Sequence, residues 1–238
     1  MPLPKITAPN YELVIPSSGK KIKYRPFLVK EEKILVIAME SNDLKDIANA
    51  IKQVLSNCII TRGFKVDKLS TFDIEYLFLN VRGKSVGETV DIKVTCPDDG
   101  ETQVPVTVAL DDIKVVNDPN HSKDIKLDDT LTLRMKYPSL DQFIKENFSL
   151  KDVGFDQSFD MIADCVDTIY SEEETWTTAD YNQKEMKDFL EQLGSKKFKE
   201  IEKFFTTMPK LTHTIKVTNP KTKNECEIPL EGLAAFFN

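Results

Sequence analysis

Hydrophobic and polar residues alternate between positions 90 and 96, where Val90, Ile92, Val94 and Cys96 share one side of a predicted strand. A second apolar stretch follows at 104–108, after a sequence rich in turn residues. Such period-two alternation is typical of an antiparallel hairpin with one buried face. We therefore predict a hairpin over 90–108.

Two further regions show the same kind of pattern. Residues 11–15 and 21–25 flank a Pro-Ser-Ser-Gly sequence, in which Gly19 favours a tight turn and hence a hairpin. Residues 127–137 predict either one strand or a short hairpin that turns at Asp128 and Asp129.

Apolar residues that recur every three or four positions predict helices in two layers. These helices cover 31–39, 44–58 and 70–81 in the first half, and 139–144, 155–170, 186–193 and 198–205 in the second. Ser41 or Asn42 is the candidate cap of the second helix. Ser70 with Asp73 resembles a capping box at the start of the third, and Ser139 with Gln142 caps the fourth.

The order hairpin, helices, hairpin, strands, helices, hairpin predicts an α+β fold without the rhythm of a parallel sheet. The predicted segments are an N-terminal arm and hairpin at 1–28, a helical layer with a first repeat hairpin at 29–110, a loop with strands at 111–137, and a helical layer with a second repeat hairpin at 138–238. They are separate segments or parts of one interlocked domain. The proline-rich start is a loose end or an arm that lies on a neighbour.

One six-residue phrase occurs twice in the chain. Ile-Lys-Val-Thr-Cys-Pro at 92–97 returns as Ile-Lys-Val-Thr-Asn-Pro at 215–220, and each copy precedes an apolar-Pro-apolar triplet, at 104–106 and 228–230. Chance is one explanation, because such strings are common in strands. We favour a shared structural role, which predicts that two hairpins, about 90–108 and 211–230, superpose as similar modules.

Composition narrows the class of protein. The chain of 238 residues has 40% apolar and 30% charged residues, as expected for a folded domain, and its net charge of −7 argues against general nucleic-acid binding. No apolar run approaches the roughly 20 residues of a membrane helix, and the N-terminus lacks the apolar core of a signal peptide. We expect a reducing cytoplasm and free thiols at the four scattered cysteines, Cys58, Cys96, Cys165 and Cys226.

Residues that could support catalysis are few. Only two histidines are present, His121 in a polar loop and His213 on a predicted strand, where a structural role is favoured. The acidic runs at 172–174 and 128–129 could supply paired carboxylates, but runs of this kind are usually solvated turns. We predict no catalytic residue and no cofactor.

The turn after Cys96 has the outline of half a zinc ribbon, in which Cys-x-x-Cys at a hairpin turn directs two thiolates at one ion. Here the second position is Asp99, and the counterpart of Cys96 in the second copy is Asn219. Cys226 lies on the return strand. With at most one thiolate in each hairpin, we predict no metal site, and we favour a polar turn over a ribbon that has lost its ligands.

The phrase IPSSGKKIKYRPFLVKEEK at 15–33 resembles the baseplate hub proteins of T-even-type contractile-tailed phages and their cyanophage relatives. The same family is similar in having an amphipathic helix after this phrase, a Cys-Pro hairpin as at Cys96 and Pro97, and a closing Gly-Leu-x-x-Phe-Phe as at 232–237. The resemblance spans essentially the whole chain.

This resemblance implies a structural or assembly protein of the phage tail, made in the host cytoplasm and without catalytic activity. The implied partners are other baseplate hub proteins, the central spike or the tape-measure end, with neither nucleic acid nor membrane, and a homo-oligomer is also open. The implied location is the virion baseplate, if the protein is a permanent subunit. Two alternatives remain: a transient assembly chaperone that is absent from the virion, or a carboxylate-based hydrolase.

Partner contacts are predicted at the first hairpin, the Cys-Pro turn, the tryptophan and the C-terminal end. The residues are Tyr11, Tyr24, Phe27, Cys96, Pro97, Trp176, Phe236 and Phe237. Trp176 anchors a partner or, as we favour, staples the start of the next helix near Thr177 and Thr178. Phe236 and Phe237 either close the protein's own core or dock on a partner.

Overall fold

The computed structural model of the chain describes residues 7–41, 43–140 and 155–232. Within these ranges, six helices and eleven strands in small antiparallel sheets confirm the predicted α+β class. The helices are α1 (Val29–Ser41), α2 (Leu44–Cys58), α3 (Thr71–Ser85), α4 (Phe155–Asp164), α5 (Gln183–Glu191) and α6 (Ser195–Thr207). The strands are β1 (Tyr11–Val14), β2 (Lys21–Tyr24), β3 (Thr89–Thr95), β4 (Gln103–Ala109), β5 (Lys114–Val116), β6 (Asp124–Lys126), β7 (Thr132–Met135), β8 (Val166–Tyr170), β9 (Thr175–Thr177), β10 (Lys210–Thr218) and β11 (Glu225–Glu231).

The chain divides into two compact units. Unit 1 combines the chain up to Val116 with the chain from Lys210 onward, and unit 2 is the intervening segment, Asn117–Pro209. Lys210 pairs with Val116 where β10 meets β5, so the two ends of the insertion lie side by side. The segments predicted from sequence, and the alternative of one interlocked domain, stay a prediction.

The second helix of unit 1, α2, has a different cap from the predicted one. It begins after Asp43, whose carboxylate accepts hydrogen bonds from the backbone N–H groups of Lys45 at 2.7 Å and Asp46 at 3.3 Å. Ser41 instead ends α1, and its hydroxyl donates to the carbonyl of Ala38. Asn42 lies outside the described residues.

The start of α3 follows Ser70 as predicted, but a capping box does not form. The Ser70 hydroxyl donates to Asp73 Oδ2 at 2.5 Å instead of capping the helix backbone. Asp73 Oδ1 accepts the N–H of Ser17 at 2.9 Å. The buried Asp73 side chain therefore connects α3 to the turn between β1 and β2.

The two repeat hairpins, β3–β4 and β10–β11, contribute to one hydrophobic core in unit 1. β10 also pairs with β5, which gives the strand order β11-β10-β5, whereas β3 and β4 form a two-stranded sheet. The alternation in β3 is confirmed, since every second side chain from Val90 is buried. The two hairpins thus share an arrangement but have different neighbours.

The proline triplets do not occupy equivalent register positions in the two hairpins. Pro105 pairs with Lys93, whereas Pro229 pairs with Thr214, the counterpart of Asp91. This offset of two residues arises because the second loop is one residue shorter and the second triplet begins one residue farther along the sequence. Both prolines lie in edge strands, where a missing N–H is tolerated.

Unit 2 contains the sheet β6-β7-β8-β9 with α4, α5 and α6. Its core consists of buried side chains from both layers, among them Leu133, Met135, Leu190, Ile201 and Phe204. A hairpin turns at Asp128 and Asp129, as one of the two predicted alternatives has it, but its first strand, β6, precedes the predicted range of 127–137. In the turn, Asp128 Oδ1 accepts the N–H groups of Thr130 and Leu131.

The helix predicted over 155–170 is wrong in its second half. α4 ends at Asp164, and 166–170 forms strand β8, which pairs with β7 and β9. Val166, Thr168 and Ile169 are β-branched and fit a sheet better than a helix. The capped helix predicted at Ser139 and Gln142 falls largely outside the described residues.

No helix among the described residues is both long and apolar enough to cross a membrane.

Candidate contact surfaces and turn site

The phrase at 15–33 builds a buried polar connection between β2 and α1. The guanidinium of Arg25 donates to Glu31 Oε1 at 3.0 Å, and the N–H of Leu28 donates to Glu31 Oε2 at 2.9 Å. The Glu31 side chain is fully buried. Burial alone would raise the pKa of Glu31, but the hydrogen bonds from Arg25 and Leu28 outweigh it and lower that pKa.

The predicted contact residues of the first hairpin have different exposures. Tyr24 is 2% exposed and Phe27 is 9% exposed, so both side chains lie under the surface of this chain. Tyr11 is half-buried, with its ring centroid 5.8 Å from that of Tyr24. Only Tyr11 of these three retains substantial accessible area for a partner.

The Cys96–Gly100 turn faces the corresponding turn of the second hairpin. Asp98 Oδ1 accepts a hydrogen bond from Asn219 Nδ2 at 2.8 Å, and Asp98 Oδ2 accepts the hydroxyl of Thr222. These bonds, first that of Thr222 and then that of Asn219, lower the pKa of Asp98. Cys96 and Asn219 are fully buried, whereas Pro97 is exposed.

The thiols near this turn are shifted away from the nucleophilic thiolate form. Burial, and after it the charge of Asp98, raises the pKa of both Cys96 and Cys226, which disfavours the thiolate. Among the described residues, no three His, Cys, Asp or Glu side chains are grouped so as to hold a metal ion.

Trp176 lies on β9 opposite Ile169 and does not staple a helix. The next helix, α5, is instead capped by Asn182, which accepts the N–H of Glu185 at 3.0 Å while Glu185 accepts the N–H of Asn182 at 2.8 Å. The predicted caps Thr177 and Thr178 are therefore wrong.

Unit 2 contains a largely apolar cavity of about 300 Å³. Its lining comprises Leu131, Ile169, Trp176, Tyr181, Glu185, Met186 and Phe189. Trp176 is thus half-buried at the wall of a cavity, a position from which an aromatic side chain can still meet a partner group.

The two histidines have structural surroundings. His121 Nδ1 lies 3.0 Å from the hydroxyl of Thr207, and Nε2 lies 3.1 Å from the hydroxyl of Tyr137. Its ring centroid is 5.1 Å from that of Phe204. Burial, followed by the charge of Lys123, lowers the pKa of His121. His213 pairs with Leu230 across β10 and β11.

The candidate carboxylate pairs lie in turns. Asp128 closes the β6–β7 turn, and the N–H groups of Glu173 and Glu174 donate to the hydroxyl of Ser171 in the β8–β9 turn. These contacts match the solvated turns favoured from sequence.

The exposed face of α1 is a feature that the sequence prediction missed. Val29 is 80% exposed, and Val36, Ile37 and Met39 are each at least half exposed. The sequence does contain a sign of this exposure. Apolar residues occur on every side of the helix, although a single buried face would need them on one side only.

The model of the family described as T4 bacteriophage base plate protein matches residues 8–238. The curated proteins and the solved structures contain no match to the chain.

Proposed function

This chain belongs to the T4 bacteriophage base plate protein family, and on that premise we propose that it is a non-enzymatic structural or assembly protein of the baseplate hub. It acts through contacts with other tail proteins. The observation that carries the proposal is the family match, which covers nearly the whole chain and both units.

The surroundings of the reactive side chains support a non-enzymatic role. His121 is engaged by Thr207 and Tyr137 in a packed cluster, and burial raises the pKa of Cys58 to about 11. Side chains in such surroundings are weak nucleophiles or bases near neutral pH. A carboxylate-based hydrolase has no comparable support.

The exposed face of α1 supports a role in protein contacts. Val29, Val36, Ile37 and Met39 place large apolar side chains in solvent along a single helix. Exposed apolar area of this extent is typical of a surface that a partner covers. Among the residues predicted from sequence, Tyr11, Pro97 and Trp176 remain proposed contacts, whereas Tyr24, Phe27 and Cys96 support the surface from beneath.

A variant with two charges on this face tests the contact. Val36→Lys combined with Ile37→Lys should leave the circular dichroism and unfolding midpoint close to wild type, because both positions are exposed. It should fail to restore tail assembly when supplied in place of the wild-type chain. Lys33→Gln, also exposed on α1, is the matched control and should assemble normally. Normal assembly of the double variant would remove α1 from the proposed interface.

Quantification of the chain in purified baseplates distinguishes a permanent subunit from a transient chaperone. A permanent subunit should occur at a fixed ratio to the other baseplate proteins in mass spectrometry. Presence in infected cells but absence from finished baseplates would establish the chaperone alternative instead.

Phe236 and Phe237 lie outside the described residues, and their role is tested by deletion of residues 233–238. A folded monomer that no longer assembles would support docking on a partner. Loss of monomer stability would instead support a place in the protein's own core.

A further inference from the structure

The first five residues of the two hairpin turns, 96–100 and 219–223, follow the same backbone path. The N–H of Gly100 donates to the carbonyl of Cys96 at 3.0 Å, and the N–H of Lys223 donates to the carbonyl of Asn219 at 2.9 Å. The fifth residue has positive φ in both turns, 69° at Gly100 and 65° at Lys223, which is rare for lysine. Each turn has proline at its second position.

This pair of turns has the layout of a zinc ribbon. In such a ribbon, the first and fourth residues of two facing turns supply four ligands to one tetrahedral ion. The corresponding residues here are Cys96 and Asp99 in one turn, and Asn219 and Thr222 in the other. Cysteine therefore occupies only one of the four ligand positions.

The side chains at these positions meet even though they lack the thiolates of a ribbon. Asn219 and Thr222 both donate to the carboxylate of Asp98. Asn224 Nδ2 approaches Asp98 Oδ2 at 3.5 Å. Cys96 is buried near Asp98 and Asp99, and burial, followed by these two charges, raises the pKa of its thiol.

We propose that the hairpin pair is a metal-free ribbon, in which hydrogen bonds from Asn219 and Thr222 to the Asp98 carboxylate connect the two turns in place of a metal ion. This inference concerns the origin and stability of unit 1 and does not depend on the baseplate role. Asn219 needs such a partner, because a fully buried amide without one is costly. The wild-type protein should therefore fold without metal, and a chelator should not change its unfolding midpoint.

Restoration of the ligands tests the layout. The variant Asp99→Cys/Asn219→Cys/Thr222→Cys, which retains Cys96, should bind one Zn²⁺ per chain. With Co²⁺ it should give the absorption bands of tetrahedral thiolate coordination. The control places the last cysteine one position away, as Asp99→Cys/Asn219→Cys/Lys221→Cys, and should bind at least tenfold more weakly. A folded variant without tetrahedral binding, or equal binding by the control, would overturn the proposal.

A double-mutant cycle tests the same connection without metal, and decides the matter if the cysteine variant does not fold. Asp98→Ala, Asn219→Ala and the double variant are compared by urea unfolding. If the two groups interact, the effects of the single substitutions are not independent. The unfolding equilibrium constant of the double variant should then be about fivefold smaller than the product of the two single effects gives. Additive effects would show that Asp98 does not connect the turns.

Discussion

Units 1 and 2 connect distant parts of their chain by different chemistry. In unit 1 the carboxylates of Asp73 and Asp98 accept hydrogen bonds from Ser17 and Asn219, which are 56 and 121 positions away. In unit 2 the ring of His121 contacts Thr207, 86 positions away, and packs on aromatic rings. The Asp98 connection favours an ionised acid, whereas the His121 connection favours a neutral imidazole.

The difference gives the two units different responses to acid. The pKa of Asp98 is lowered, chiefly by the hydroxyl of Thr222, so its contribution is present above the ordinary aspartate pKa and is lost as pH falls below it. The pKa of His121 is also lowered, by burial, so its contribution is complete above about 6.5 and is lost on acidification below that value. Unit 2 should therefore weaken at a higher pH than the Asp98 connection.

The largest expected effect comes from the aromatic cluster of unit 2. Phe204→Ala should lower the free energy of unfolding by about 4 kcal/mol, because Phe204 is 2% exposed and its removal leaves a cavity. The same change should raise the pKa of His121 in an NMR titration, since the ring gains access to water. Phe198→Ala on the same helix is the control and should cost less, because Phe198 is only half-buried. Equal costs would mean that Phe204 has no special place in the cluster.

The next effect concerns the buried ion pair of unit 1. Arg25→Met should cost about 3 kcal/mol at pH 7, because it leaves the buried Glu31 carboxylate without its guanidinium partner. The pKa of Glu31 is lowered in the folded protein, so the stability it provides is present above about 4.5 and is lost as pH falls. The cost of Arg25→Met in urea unfolding should accordingly shrink near pH 4.

The matched control for the ion pair is the double variant Arg25→Met/Glu31→Met. It should be more stable than the single Arg25→Met variant, because no buried charge remains. A double variant as unstable as the sum of the two single changes would show that the pair contributes only through packing.

The pH response of His121 is the third test of the comparison. Between pH 7.5 and 5.5 the free energy of unfolding should fall, and His121→Gln should flatten this slope, because the unfolded state then binds no extra proton at that position. His213→Gln replaces the only other histidine and should retain the slope. A slope unchanged by His121→Gln would assign the acid response to other groups.

Strands and turns could be predicted where the sequence shows a single clear pattern of apolar or turn residues. The alternation from Val90 to Cys96 identified β3, and the turn residues at 16–19 identified the first hairpin. The resemblance of the phrase at 15–33 pointed to the family that the match over 8–238 establishes. In the structure, this phrase contains Arg25 and Glu31, which form a buried ion pair.

Other features depend on contacts that no local pattern records. β8 follows α4 after a single residue, so its apolar residues extended the helical period until pairing with β7 overrode it. The Asp98 connection joins residues more than a hundred positions apart. Ligand counting at the turns predicted no metal site, but it could not predict the hydrogen bonds that join the two turns.

The smallest expected effect tests whether the two turns that carry the Asp98 connection have the same backbone. Gly100 and Lys223 share a positive φ, and a Cβ added at Gly100 would meet no atom within 4 Å, so the cost of Gly100→Ala is backbone strain alone. Gly100→Ala should therefore destabilise the protein by about 1 kcal/mol, whereas Lys223→Gly should stabilise it by a few tenths to about 1 kcal/mol. Urea midpoints of both variants, with Lys221→Gly as a surface control in the second turn, measure the difference. If Lys223→Gly lowers the midpoint as Lys221→Gly does, the left-handed conformation at Lys223 is not strained, and the two turns differ in the backbone as well as in sequence.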